Sequence, residues 1–263
     1  MAEQFNKSVV RDFLVATFSI VVIFAGFLII MGRFGFQVQA LGSQIWLNIP
    51  FVIYVCSPAV ACYLVLKKHG YVSNFGAWLK NILNFRAKFS HYLLVIIGIL
   101  IYYSGAIIVS TEVEIWPMWW LVIFMPISLF LGGLEEAGWM YILQPKLDVK
   151  YGFLFSSILV GTVWIIWHIP LFFIPGTAHY AGFIPFGVFA FNNIFGRFIY
   201  GTIHRVSGNV FLSILFHTLY NATSNVFIVS RNWRSEVVAV LALCILSLSV
   251  VWIDNRVKFK RAR

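Results

Sequence analysis

Acid is scarce in this chain. Its 263 residues include nine Asp and Glu, and only 11% of the chain is charged while 61% is hydrophobic. Soluble domains carry about 25% charged residues. A chain this poor in charge, with mean hydropathy +0.89, has too little polar surface for water and belongs in a bilayer. The three cysteines, Cys56, Cys62 and Cys244, lack metal or redox spacing and read as small core residues. No HExxH stretch occurs, so the common zinc-peptidase helix is excluded. There is no internal repeat, low-complexity tract or long linker, and residues 1–263 read as a single integral membrane domain.

Long apolar runs are abundant. A helix needs about 20 mostly apolar residues to cross the hydrocarbon. Eight stretches qualify, near 13–31, 46–66, 91–110, 117–138, 153–174, 182–203, 208–229 and 236–253. A β-barrel would show alternating segments of about ten residues instead. The fold class is therefore all-α, a polytopic transmembrane bundle of about eight spans. The first run is too long for a signal-peptide core. Val38-Gln39-Ala40 resembles a cleavage triplet only weakly, and Arg33 intervenes. Residues 78–85 mix aromatics with Lys80, as a short amphipathic helix on the membrane surface would.

The net charge of +10 invites a nucleic-acid reading, but its distribution rejects it. The basic residues sit in every second loop: Lys7 and Arg11, then 67–88, then Lys146 and Lys150, then Arg205, then 256–263. The alternate loops hold Arg33, Arg231 and Arg234. Such asymmetry orients membrane proteins with the basic loops inside, so both termini are expected in the cytoplasm, most naturally at the cell membrane. The C-terminal tail is suited to anionic headgroups of the lipid bilayer.

Most acids fall in loops or at span ends: Glu3, Asp12, Glu112, Glu114, Asp148, Glu236 and Asp254. Glu135 and Glu136 do not. A charged acid at mid-bilayer costs about 2.5–3.5 kcal/mol on insertion scales and normally faces a polar cavity. The alternative is that the fourth span ends near Gly133 and leaves both acids at the interface. His69, His91, His179 and His204 fall in loops or at span ends, whereas His168 and His217 lie deep in two other spans. At 1.5 Å per residue, Glu135 and His217 sit about 14–15 Å from the basic end and His168 about 21–24 Å. The four groups can thus meet at one level. Helical spacing of four pairs His217 with Asn221, Trp164 with His168 and Glu135 with Trp139. Neighbouring Glu135 and Glu136 point about 100° apart, so one faces the site and the other braces it.

These stretches, EEAGW at 135–139, WIIWH at 164–168 and HTLYN at 217–221, together resemble the CPBP family of CAAX-protease and bacteriocin-processing intramembrane endopeptidases. The resemblance spans about residues 116–228, which would be the catalytic core. It implies a glutamate protease without a metal or other cofactor, acting on a membrane protein or peptide. Glu135 and His168 would activate water, His217 and Asn221 would stabilise the oxyanion, and Glu136 would support the site. A water-filled cavity open to the cytoplasm would supply the nucleophile. Trp139 and Trp164 would be supporting neighbours. The family pattern is EExxxR, and Met140 occupies the arginine position here. Arg197 is the candidate substitute, with snorkelling to the cytoplasmic headgroups as the alternative.

Other functions fit some of these residues. A non-catalytic scaffold or immunity protein on the same fold is favoured by Met140. Two histidines and two carboxylates are zinc-ligand types. Buried acids and histidines also occur in proton-coupled transporters, although those are built from repeats.

Overall fold

The computed structural model describes residues 7–39, 42–110, 112–229 and 232–261, with side chains to residue 257. Glu3, Ala40 of the cleavage-like triplet, Arg231 and the basic side chains from Lys258 onward lie outside the described residues.

The apolar runs become helices. α1 is Lys7–Arg33, α2 Asn48–Val55, α3 Ser57–Lys68, α4 Phe75–Ile82, α5 Phe89–Val109, α9 Phe153–His168, α10 Phe186–Ser207, α11 Val210–Ser224 and α12 Trp233–Arg261. The fourth apolar run is several pieces: α6 (Trp120–Phe130), a 3-10 turn Gly133–Glu135, α7 (Glu136–Gly138), a π-helical stretch Trp139–Leu143 and α8 (Gln144–Tyr151). The fold is an all-α bundle. Its one sheet among the described residues pairs β1 (Val113–Ile115) antiparallel with β2 (Phe227–Val229).

Among the described residues, five helices are long and apolar enough to cross a membrane, or six if the bent pair Ile45–Val55 and Ser57–Lys68 is one span. The remaining two of the eight expected spans are α10 and α11. Both are helical, but they carry Arg197, His217 and several amides, and α11 has only 15 residues. Polar load removes α10 from the count, and length removes α11.

The two ends of the bundle differ. At one, Asp12 near the start of α1 accepts from Lys68 at 2.7 Å and contacts His69 at 3.0 Å beyond α3. Asn209, between α10 and α11, donates to the Asn84 carbonyl at 2.6 Å, and Arg205 reaches Asn255 on α12 at 3.1 Å. At the other end, Val38 donates to the Pro175 carbonyl at 3.0 Å, Trp116 to that of Val226 at 2.9 Å, and β1 lies on β2. Nearly all the lysines and arginines gather at the first end.

The expected amphipathic segment is α4, a little earlier than residues 78–85. Asn74 caps it through Oδ1, which accepts from the Ala77 N–H at 2.9 Å. Trp78 does not rest in lipid. It is 4% exposed and packs against Tyr63 of α3 with ring centroids 5.7 Å apart.

Candidate active site

The site grows from the broken fourth segment. Pro126 lies inside α6 and removes one backbone donor; Gly132 and Gly133 then end the helix. Irregular backbone at membrane depth is tolerated where protein buries it. Here the Cys56 thiol contacts the freed Phe130 carbonyl at 3.2 Å. The chain restarts as a 3-10 turn that ends on Glu135. Close packing follows: a Cβ on Gly138 would come within 2.6 Å of the Phe13 ring of α1 and 2.8 Å of the Pro58 carbonyl of α3. Both acids are therefore inside protein, Glu135 at 3% and Glu136 at 0% exposure.

The two carboxylates have different surroundings. Glu135 Oε2 accepts the Trp164 indole N–H at 2.9 Å, and the residue lines a cavity of about 370 Å³. Glu136 turns away from that cavity. Its Oε1 accepts from Arg197 at 2.6 Å and contacts His217 Nδ1 at 2.8 Å. The Arg197 guanidinium also lies 4.4 Å from the Trp164 ring centroid and 4.6 Å from that of Tyr200. Arg197 is 1% exposed, so it does not snorkel. Burial holds its long side chain on the acid, because an unpaired charge in this interior would be far costlier than a paired one. Met140, at the motif's arginine position, is fully buried.

Trp164 joins the two halves: it donates to Glu135, covers Arg197, and packs on His168 with centroids 3.4 Å apart. His168 Nδ1 lies 3.0 Å from the Trp164 carbonyl. A carbonyl can only accept, so Nδ1 carries the proton and Nε2 is left to the cavity that His168 lines. His217 and Asn221 line the same cavity. Both reach over Gly132, where a Cβ would sit 3.2 Å from His217 Nε2 and closer still to Asn221 Nδ2. Glu135, Trp164, His168, His217 and Asn221 thus share one chamber, with Glu136 and Arg197 behind it.

Trp139 is not at this site. It is fully buried and does not line the chamber; it packs against Phe13 at 5.4 Å and against Trp167, a lining residue, at 6.1 Å between ring centroids. The spacing rule that paired it with Glu135 assumes an unbroken α-helix. The 3-10 turn before and the π stretch after change the rotation per residue.

Two residues missed by sequence reasoning, His179 and Glu236, belong to the chamber or its edge. His179, read as a loop residue, lines it, with its ring 6.4 Å from His168. Glu236, read as an ordinary span end, is 3% exposed. It accepts from Tyr102 at 2.9 Å and pairs closely with Asn192. Asn192 both lines the chamber and donates to Tyr102 at 2.9 Å. Loops lack the periodicity that would reveal His179, and Glu236 betrays its burial only through partners on α5 and α10. Among the described residues, no three His, Cys, Asp or Glu side chains converge as metal ligands.

The chamber's lining also includes Val38, Gly176, Thr177, His179, Ile184 and Ser224, from the end opposite the basic loops.

An independent comparison bears on the same stretch. Residues 114–223 match the family model of Rce1-like type II CAAX prenyl endopeptidases. No curated protein matches the chain. The resemblance to the CAAX-protease family therefore holds, and the Rce1-like segment carries all three motifs. A protease family supports enzymatic activity of that general kind, with a peptide or protein substrate at a membrane. The apolar helices and the Rce1-like match together indicate an integral membrane protein.

Proposed function

We propose that this protein is a metal-independent intramembrane endopeptidase in which Glu135 and His168 activate water. The observation that carries the reading is the division of labour between adjacent acids. Glu136 is held by Arg197 and His217, while Glu135 and His168 face a common chamber. A general base contributes about 10²–10⁴ in rate when it is within reach of the proton it removes. The bare Nε2 of His168 or the second oxygen of Glu135 takes one proton from water. The water oxygen then bonds to the peptide carbonyl carbon. That proton passes to the leaving nitrogen as the C–N bond breaks, giving a carboxylic acid and an amine.

The carbonyl oxygen acquires negative charge on the way. Asn221 Nδ2 and His217 Nε2, both over Gly132, are the donors for it. His217 faces Glu136 through Nδ1, so it donates from Nε2 only when it carries both protons. The carboxylate of Glu136 stabilises that imidazolium, and Arg197 balances the carboxylate. Arg197 thereby takes the part of the arginine that Met140 displaces.

Glu135→Gln, compared with wild type at matched expression, is the decisive variant. Membrane peptides are profiled by mass spectrometry, and a product lost in the variant identifies the substrate. Cleavage that persists in Glu135→Gln would refute the mechanism. A phenotype that survives this substitution but not deletion of the protein would favour the scaffold or immunity reading. Metal bound stoichiometrically to active protein would favour zinc.

A further inference from the structure

The side from which substrate reaches the chamber follows from the fold and the charge together. The described lysines and arginines at one end come from the start of α1, the end of α3, α4, the start of α5, α8 and the ends of α10 and α12. Arg33 and Arg234 are their counterparts at the other end. The bias of Lys and Arg toward cytoplasmic loops sets orientation, and each such charge near anionic headgroups contributes about 1 kcal/mol.

Among the described residues, none of the basic end lines the chamber. Gln144, Ser156 and Ser157 are all fully buried at that end. Gln144 Nε2 donates to Asp148 at 2.8 Å, to Ser156 at 3.0 Å and to Ser157 at 3.3 Å. The Arg197–Glu136 pair forms a second buried layer. Toward the opposite end the chamber adjoins a second cavity of about 890 Å³, and the two share Tyr102, Ala178, Ile184 and Ser224 as lining. That outer cavity is lined also by Glu112, Glu114 and Phe183. Among the described residues, no Lys or Arg lines either cavity.

We propose that the chamber is served from the extracytoplasmic side, so that its substrate is a peptide segment exposed at the outer membrane face. A prenylated C-terminus presented at the cytoplasmic face would meet the basic end and its buried polar layers. The proposal rests on the peptidase reading for the word substrate. The direction of access stands without it.

The test separates the two. In a chain whose Cys56, Cys62 and Cys244 are replaced by Ala, Phe183→Cys and Lys80→Cys are made singly and expressed in a bacterial inner membrane. Phe183 is 78% exposed at the mouth, and Lys80 is exposed on α4. A membrane-impermeant maleimide should label Phe183→Cys in spheroplasts and Lys80→Cys only after lysis. The reverse pattern would overturn the proposal. Where neither thiol reacts, a C-terminal fluorescent protein that matures only in the cytoplasm decides. A dark fusion overturns the proposal, and a bright one supports it. The substrate found through Glu135→Gln is then tethered on either face. Cleavage on the cytoplasmic face alone overturns the assignment of substrate side. Absence of cleavage on both faces sinks the peptidase reading and leaves the labelling result in place.

Discussion

Arg197 shows how a single side chain changes the meaning of a motif. It supplies the cation for Glu136 from α10, at 2.6 Å, whereas the motif supplies it one turn along the same helix. Removing one partner of a buried pair costs about 3–5 kcal/mol, because the other charge is left unpaired. Arg197→Met should therefore lower the melting temperature in detergent and abolish cleavage, and Arg197→Met with Glu136→Gln should recover most of the stability. A thermal shift assay of the three proteins checks this. Trp164→Phe is a milder change. It retains a ring near Arg197 but deletes the N–H donor to Glu135. A hydrogen bond to a charged group is worth about 1.5–3 kcal/mol. Cleavage should fall roughly ten-fold to a hundred-fold at little cost in folding, measured as kcat on a purified substrate. The sequence identified both acids, both histidines, Asn221 and Trp164 as neighbours, because few polar side chains occur in so apolar a chain. It left the role of Arg197 open, because an arginine 61 residues away in sequence has no spacing relation to Glu136.

At the level of elements, the break between α6 and α7 is what the apolar run concealed. Hydropathy measures how long a segment is, not whether its backbone is continuous. Pro126, Gly132 and Gly133 were visible, but their consequence for Trp139 was not, since rotation per residue changes through the 3-10 and π stretches. Gly132 is where this element meets α11 most tightly. His217 and Asn221 approach its Cα so closely that no Cβ fits without their moving. Gly132→Ala should drive the two donors apart by pushing the Asn221 amide aside. An oxyanion donor is worth about 10²–10³ in kcat, so activity should fall by about that factor while substrate affinity is retained. A matching loss in Asn221→Ala, with no further loss in the double variant, would show that both changes act through one donor. Additive losses would show that Gly132 matters in some other way.

For the molecule as a whole, the sequence made legible the helical class, the two chemically unlike ends and the level at which the motifs meet. It did not reveal which loops line the chamber, because depth along a helix says nothing about where loops part. Nor did it reveal the sheet: β1 and β2 are three residues each, too short for an alternating pattern to stand out. Yet their pairing ties the α5–α6 connection to the α11–α12 connection beside the outer cavity, which Val113 and Val229 both line. Val113 and Val229 are direct partners in this sheet. Opposed residues of an antiparallel pair have Cα atoms about 4.5–5.5 Å apart, within the range that a disulfide spans. Val113→Cys with Val229→Cys should therefore crosslink, and the compartment decides whether the bond persists. Disulfides form in the periplasm and are kept reduced in the cytoplasm. In a cysteine-free background expressed in a bacterial inner membrane, the double variant should resist alkylation until reductant is added. It should become alkylatable in a host lacking periplasmic thiol oxidase. If the thiols remain free in the oxidising host although each single variant reacts with an impermeant reagent from outside, the strands do not pair. If they react only after lysis, the ends of the bundle are inverted.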